Sequence, residues 1–281
     1  MKTRPIRPLR LATAALLLGA SLGLGACSGE EETPAVAAAR QEIPVEVLYN
    51  QALDELQQED YDNAAESFDL VERQYPYSVW ATKAQLMAVF SYYMTNEYEQ
   101  AIGAAERFIR LHPGSADAAY AYYMIAVCHY EQITDVGRDQ GRTVNALNAL
   151  EETIRRFPKS AYAQDAQAKM ALVRDHLAGK EMEIGRYYQG GGHYVAAINR
   201  FQKVVAEYQT TSHVPEALHR LTEAYLSLGV TDEAQATAAV LGHNFPNTSW
   251  YRDSYALLSG RNLAPAQSSE SWISQIWNSV F

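Results

Sequence analysis

Two thiols and seven imidazoles carry most of the reactive chemistry in this 281-residue chain, and their spacing limits what they can do. Cys128 and His129 are adjacent, but successive residues on a helix point about 100° apart, so they form no convincing nucleophile–base pair. Cys128 closes the apolar run Met124-Ile125-Ala126-Val127 and reads as a buried, inert thiol. The remaining histidines are dispersed. There is no His-Glu-x-x-His, no Gly-x-Ser-x-Gly, no phosphate-cradling Gly-rich loop and no cysteine pair for a metal. Gly190-Gly191-Gly192 is explained by a turn between helices. The sequence therefore predicts no catalytic residue, no metal and no cofactor. Arg138 and Asp139, in the segment Thr134 to Gly141, read as residues that fix a loop or meet a partner.

Cys27 has a different chemistry. Lys2, Arg4, Arg7 and Arg10 form a basic region, Leu11 to Leu24 an apolar stretch, and Gly25-Ala26 a small-residue neck, together the pattern of a removable secretory signal over residues 1–26. A Cys directly after Leu24-Gly25-Ala26 resembles the bacterial lipobox. The resemblance implies cleavage before Cys27, a diacylglycerol thioether on its sulfur and acylation of the new amine. Two or more acyl chains anchor stably where one does not. Ser28 at the next position resembles the sorting signal that sends lipoproteins to the outer membrane, with the rest of the chain in the periplasm.

Removing residues 1–26 takes four basic and no acidic residues from a chain with 23 Lys+Arg and 33 Asp+Glu, which leaves a formal charge of −14. That charge argues against nucleic acid as a partner and against adsorption to anionic headgroups, so lipid on Cys27 must do the anchoring. With Cys27 lipidated, Cys128 has no partner within the chain for a disulfide.

The elements that would position any surface are legible as an internal repeat. Counting from Tyr61, Ala64 follows at +3, Tyr75 at +14, Pro76 at +15 and Ser78 at +17. The frame recurs from Tyr98 (Ala101, His112, Pro113, Ser115) and from Thr143 (Ala146, Phe157, Pro158, Ser160). It recurs again from Tyr194 (Ala197, Tyr208, Gln209, Thr211) and Thr231 (Ala234, Phe245, Pro246, Thr248). A small residue at +3 lets helices approach closely, Pro at +15 cannot continue a helix, and Ser or Thr at +17 is placed to cap the next one. Each unit reads as helix, tight turn, helix. The expected fold is all-α, a right-handed superhelical solenoid of five tetratricopeptide-like repeats over residues 44–260. Residues 27–43 read as the lipidated cysteine and a flexible tether, and 261–281 as a C-terminal tail.

Intervals between frames are 37, 45, 51 and 37 residues. The 45-residue interval holds the Thr134–Gly141 loop inside repeat three. The 51-residue interval exceeds 37 by close to four helical turns, which predicts one long first helix in repeat four from about Ala161 to Tyr188, with Gly179 as its weak point.

First helices line the concave side of such a solenoid. That register assigns Glu46, Tyr49, Leu53 and Leu56 to the groove from repeat one, Leu86, Phe90 and Tyr93 from repeat two, and Tyr120, Tyr123, Val127 and Tyr130 from repeat three. The stripe suits an extended peptide with aromatic side chains, and equally suits rings packed between repeats or against the chain's own N-terminal segment. In the tail, Trp272, Ile273, Ile276, Trp277, Val280 and Phe281 share one side of a short helix led by Ser268-Ser269-Glu270. That face reads as folding back to seal the last repeat, with a membrane or partner contact as the alternative.

The strings Asp135-Val136-Gly137-Arg138-Asp139-Gln140, Leu172 to Met182 and Gly185-Arg186-Tyr187-Tyr188, together with the repeats and Cys27, resemble the BamD family, lipoprotein subunits of the outer-membrane β-barrel assembly machinery. The likeness runs through about Tyr251. It implies a non-enzymatic scaffold whose C-terminal repeats dock on the periplasmic POTRA domains of BamA, alongside other lipoproteins of the machinery. It also implies that the N-terminal repeats receive C-terminal segments of outer-membrane proteins. Asn199 and Arg200 match the family's docking position, and the quoted strings add Arg138, Asp139, Arg186 and Tyr188. A pilotin-like lipoprotein that carries a secretin is the alternative expectation.

Overall fold

The computed structural model describes residues 43–268 and 271–280, with side chains through Ile276. Cys27, the leader, the tether up to residue 42, Ser269, Glu270 and Phe281 lie outside the described residues, as do the side chains of Trp277 and Val280.

Second helices open at the first residue of the repeated frame in four units, and two residues before it, at Gly141, in the third. Five pairs follow in chain order: α1 (Val45–Gln57) with α2 (Tyr61–Gln74), α3 (Val79–Met94) with α4 (Tyr98–Leu111), α5 (Ala118–Glu131) with α6 (Gly141–Arg156), α7 (Ala161–Gly190) with α8 (Tyr194–Glu207), and α9 (Val214–Leu228) with α10 (Thr231–Asn244). A lone α11 (Ser249–Ser259) and the tail helix α12 (Trp272–Val280) complete the order. Each helix packs on the next through α10. The first helices of successive pairs also touch from α1 to α7.

The frame buries its own core. Positions +3, +7 and +10 lie on one helical face and are fully buried in every unit, as Ala64, Phe68 and Val71 in the first and Ala197, Phe201 and Val204 in the fourth. Second helices end at Tyr75, His112, Phe157, Tyr208 and Phe245, whose φ values fall between −131° and −125°. Pro at the next position disfavours helix in the residue before it. Tyr208 adopts the same angle before Gln209, so packing as well as proline sets the break.

Turns within the units are encoded two residues before each frame. Glu59, Asn96, Gly192 and Gly229 have φ between 61° and 76°. In each, the following amide reaches back to a carbonyl five residues earlier, as Val230 N does to Tyr225 O at 2.9 Å. Repeat three has the Gln132–Gln140 loop instead.

Capping departs from the expectation at two places. Ser78, Ser160 and Thr248 accept bonds from Ala81 N, Ala163 N and Tyr251 N. Ser115 and Thr211 do not cap, because α5 and α9 start later, after Asp117 and His213. Ser115 Oγ instead accepts from Asp117 N, and the Thr211 hydroxyl donates to Tyr208 O.

The long helix is continuous: α7 runs 30 residues through Gly179. Its first half buries Ala166, Val173 and Leu177 with Ala146 and Leu150, and its second half buries Ala178 and Met182 with Phe201 and Leu218. One rigid element thus joins two cores. Among the described residues no helix is long and apolar enough to cross a membrane.

The tail folds back on repeat five. Ile273 is fully buried in the C-terminal core, Trp272 Nε1 donates to Tyr225 Oη at 2.8 Å, and the Ser271 hydroxyl donates to Glu233 at 2.6 Å. Burying an Ile side chain contributes about 1.5–3 kcal/mol.

Candidate partner-docking surfaces

The first-helix side carries the expected aromatic residues, with one correction. Tyr49 is 7% exposed and lies in the core, its ring 5.6 Å from Phe68 and 4.8 Å from Trp80. It lines no groove, because α1 turns that edge against α2 and α3. Leu86 and Val127 are buried as well. Leu53, Phe90, Tyr93, Tyr123 and Tyr130 are half-buried, packed on one side and open on the other. Phe90 meets Tyr61 edge-on, and Tyr93 lies against Tyr98.

Beyond Tyr123 this surface continues onto α7. The Tyr123 hydroxyl donates to Asp165 Oδ2 at 2.5 Å, and Lys169 Nζ sits 2.9 Å from the same oxygen and 5.5 Å over the Tyr130 ring. Lys169 first, and then Tyr123, hold the Asp165 carboxyl below its usual range. A cleft of about 430 Å³ follows between α5 and α7, lined by Tyr130, Ile133, Leu172 and His176 among others, with Leu172 60% exposed. Tyr162, Asp165 and Lys169 carry no signal that the sequence analysis used, and Leu172 and His176 enter it only within the string Leu172 to Met182. The five recur at helical spacing, which places them on one side of α7.

The six docking candidates fall into separate groups. Tyr188, Asn199 and Arg200 come together around a depression of about 270 Å³ that Ala196 and Lys203 also line. Arg186 lies two residues from Tyr188, hence about 200° around the helix. Its guanidinium pairs with Glu216 of α9 at 3.1 Å. Arg138 and Asp139 are exposed on the repeat-three loop, where Asp135 accepts from Gly137 N and Asp139 from Gly141 N. Gln140 ties the loop together by donating to three of its carbonyls.

The specific α7 string has a contact for nearly every letter. A Cβ at Gly179 would lie 3.2 Å from His213 Nε2 and 3.4 Å from Val136, so the loop and the start of α9 converge there. Met182 is fully buried, Gly185 makes room for Phe201, and Glu181 holds Arg200 and Lys203. That carboxylate raises the Lys203 ammonium above its ordinary value, outweighing burial.

Among the described residues no exposed reaction centre accompanies these surfaces. Ser254 Oγ lies 2.9 Å from His219 Nδ1, and Glu223 lies 3.5 Å from Nε2, but Ser254 and His219 are buried between α9 and α11, beyond a substrate's reach. Burial, then the charges of Glu131 and Glu99, push the Cys128 thiol up to about 12. Among the described residues no cluster of ligands is arranged for a metal.

Known proteins resemble this chain over most of its length. Residues 41–256 match the family model YfiO, described as "Outer membrane lipoprotein". A Caulobacter vibrioides protein named outer membrane protein assembly factor BamD is 48% identical over 253 residues, 90% of this chain and 82% of its own. A Rickettsia prowazekii protein of the same name is 42% identical over 89% of this chain and 96% of its own. Among solved structures, a tetratricopeptide protein of Thermus thermophilus aligns over 76% of this chain and 98% of its own at 20% identity, with a TM-score of 0.36.

Proposed function

The chain belongs to the BamD family of outer-membrane lipoproteins, and on that premise we propose that it is a non-enzymatic assembly factor for outer-membrane β-barrel proteins. The observation that carries this reading is the 48% identity over 253 residues, 90% of this chain, to a protein bearing the assembly-factor name. A helical solenoid with open surfaces and no exposed reaction centre suits work done by holding partners.

In this reading lipid on Cys27 keeps the chain at the periplasmic face of the outer membrane. The patch of Tyr188, Asn199 and Arg200 docks on the POTRA domains of BamA, with Arg186, Arg138 and Asp139 on neighbouring faces available to other lipoproteins of the machinery. The half-buried aromatics Phe90, Tyr93, Tyr123 and Tyr130, with Leu53 at one end, receive C-terminal segments of client proteins.

Purification of the full chain from membranes in mild detergent tests the reading. BamA is expected to co-purify, and Arg200→Glu is expected to reduce the yield while helical circular dichroism stays intact. Undiminished BamA with Arg200→Glu would overturn the docking assignment. Recovery of a secretin in place of BamA would move the protein to the pilotin class, which the names of its relatives do not favour.

A further inference from the structure

A buried carboxylate is costly unless paired and hydrogen-bonded. Glu181 is 8% exposed on α7 and commits both oxygens to α8: Oε2 accepts from Arg200 Nη1 at 3.0 Å and Oε1 from Lys203 Nζ at 2.7 Å. Arg200 and Lys203 stand three residues apart on one face of α8, where like charges repel. The carboxylate between them removes that repulsion and fixes both side chains.

Packing alone does not call for this trio. Arg200 occupies position +6 of its frame, and the same position holds Ser67, Ala104, Ala149 and Thr237 in the other four units. Those units fold the same helix pair with a small uncharged residue there. Unit four is the exception, and its trio borders the depression that Tyr188 and Asn199 also line. Glu181 occupies one guanidinium nitrogen of Arg200. Nε and Nη2 make no hydrogen bond among the described residues, and an Arg with one edge pinned presents its remaining donors in a fixed plane.

We propose that Glu181 is a positioning residue of the docking patch: it holds Arg200 and Lys203 as one preorganised unit for the partner, and this rests on the reading that the Arg200 patch docks BamA. Preorganisation contributes to affinity by lowering the ordering cost at the moment of binding. The charge-neutral variant Glu181→Gln keeps side-chain volume but loses the charge and one of the two acceptor oxygens, so it can hold at most one of the two cations.

The test measures binding of the full chain to full-length BamA in mild detergent for wild type, Glu181→Gln, Arg200→Ala/Lys203→Ala, and the triple variant. Glu181→Gln is expected to weaken binding roughly tenfold, within the range for coupled neighbours, and to add nothing once Arg200 and Lys203 are gone. An equal loss in both backgrounds would overturn the proposal, since a purely structural residue acts regardless of its partners. So would unchanged binding of Glu181→Gln where Arg200→Ala/Lys203→Ala binds weakly. Full binding by Arg200→Ala/Lys203→Ala would instead overturn the docking reading, and the inference with it. Should Glu181→Gln fail to fold, Glu181→Asp asks the same question: it keeps the charge and shortens the reach to both cations. A tenfold loss there supports positioning, and full affinity overturns it.

Discussion

Gly185 of α7 packs against the ring of Phe201 of α8 so closely that a Cβ at residue 185 would stand 2.4 Å from Phe201 Cε1. Phe201 is fully buried, at the +7 position of the fourth frame. Helix pair four therefore depends on an absent side chain.

Gly185→Ala is expected to lower the free energy of unfolding by about 1–3 kcal/mol, the usual cost of forcing a methyl group into a filled core. Urea denaturation of the purified chain measures it. Phe201→Leu in the same chain should recover part of the loss. A Gly185→Ala protein as stable as wild type would mean that α7 and α8 separate freely, contrary to this packing.

Glu59 turns between α1 and α2 with φ 61°, where the fourth and fifth units use Gly192 and Gly229. A side chain with a Cβ is strained in that region. Glu59→Gly is expected to raise stability by about 0.5–1 kcal/mol, after subtracting glycine's extra freedom in the unfolded chain. A higher urea midpoint confirms it, and a lower one would show that the Glu59 side chain contributes more than its backbone strain costs.

Glu223 joins α7 to α9: its carboxylate accepts from Gln189 and Arg220 and faces His219. Burial pushes its carboxyl up, yet the bonds to His219 and Arg220 prevail and hold it at about 2. The unfolded value is about 4.3, so between these values the unfolded chain binds more protons. Glu223 therefore stabilises fully above about pH 4.3, and this contribution is lost as pH falls toward 2. Urea unfolding across that window should show a steep decline in wild type and a shallower one in Glu223→Gln. Parallel declines would remove Glu223 from the account.

Tyr93 and Tyr123 stand half open on the first-helix side, each braced by a neighbour, Tyr98 and Asp165 respectively. Tyr93→Ala with Tyr123→Ala is expected to cut photo-crosslinking to a client peptide ending in Phe several-fold, since an aromatic contact contributes about 0.5–1.5 kcal/mol beyond its area. Helical circular dichroism should stay unchanged. Undiminished crosslinking would assign these rings to packing alone.

Local rules set much of this protein in advance. Ala64, Ala101, Ala146, Ala197 and Ala234 were readable as contact points because close approach of two helices needs a small residue, and all five are fully buried. The same holds for the break before each proline and for the length of α7, where a surplus near four whole turns keeps one face inward. These are properties of a chain interacting with itself over a few turns, so spacing reveals them.

Other features belong to the tertiary structure. Tyr49 had the register of a groove residue, but which side of α1 faces solvent depends on α2 and α3 closing over it. Ser115 and Thr211 had the cap spacing, but two residues of extra turn moved the helix starts. Arg186 and Tyr188 stand two residues apart in one motif and lie about 200° apart around α7, whereas Glu181 and Arg200 are 19 residues apart and share a salt bridge. Sequence spacing determined the periodic core because periodicity is local. Which polar side chains meet was decided by the packing of α7 on α8, where burial makes an unpaired charge too costly to leave alone.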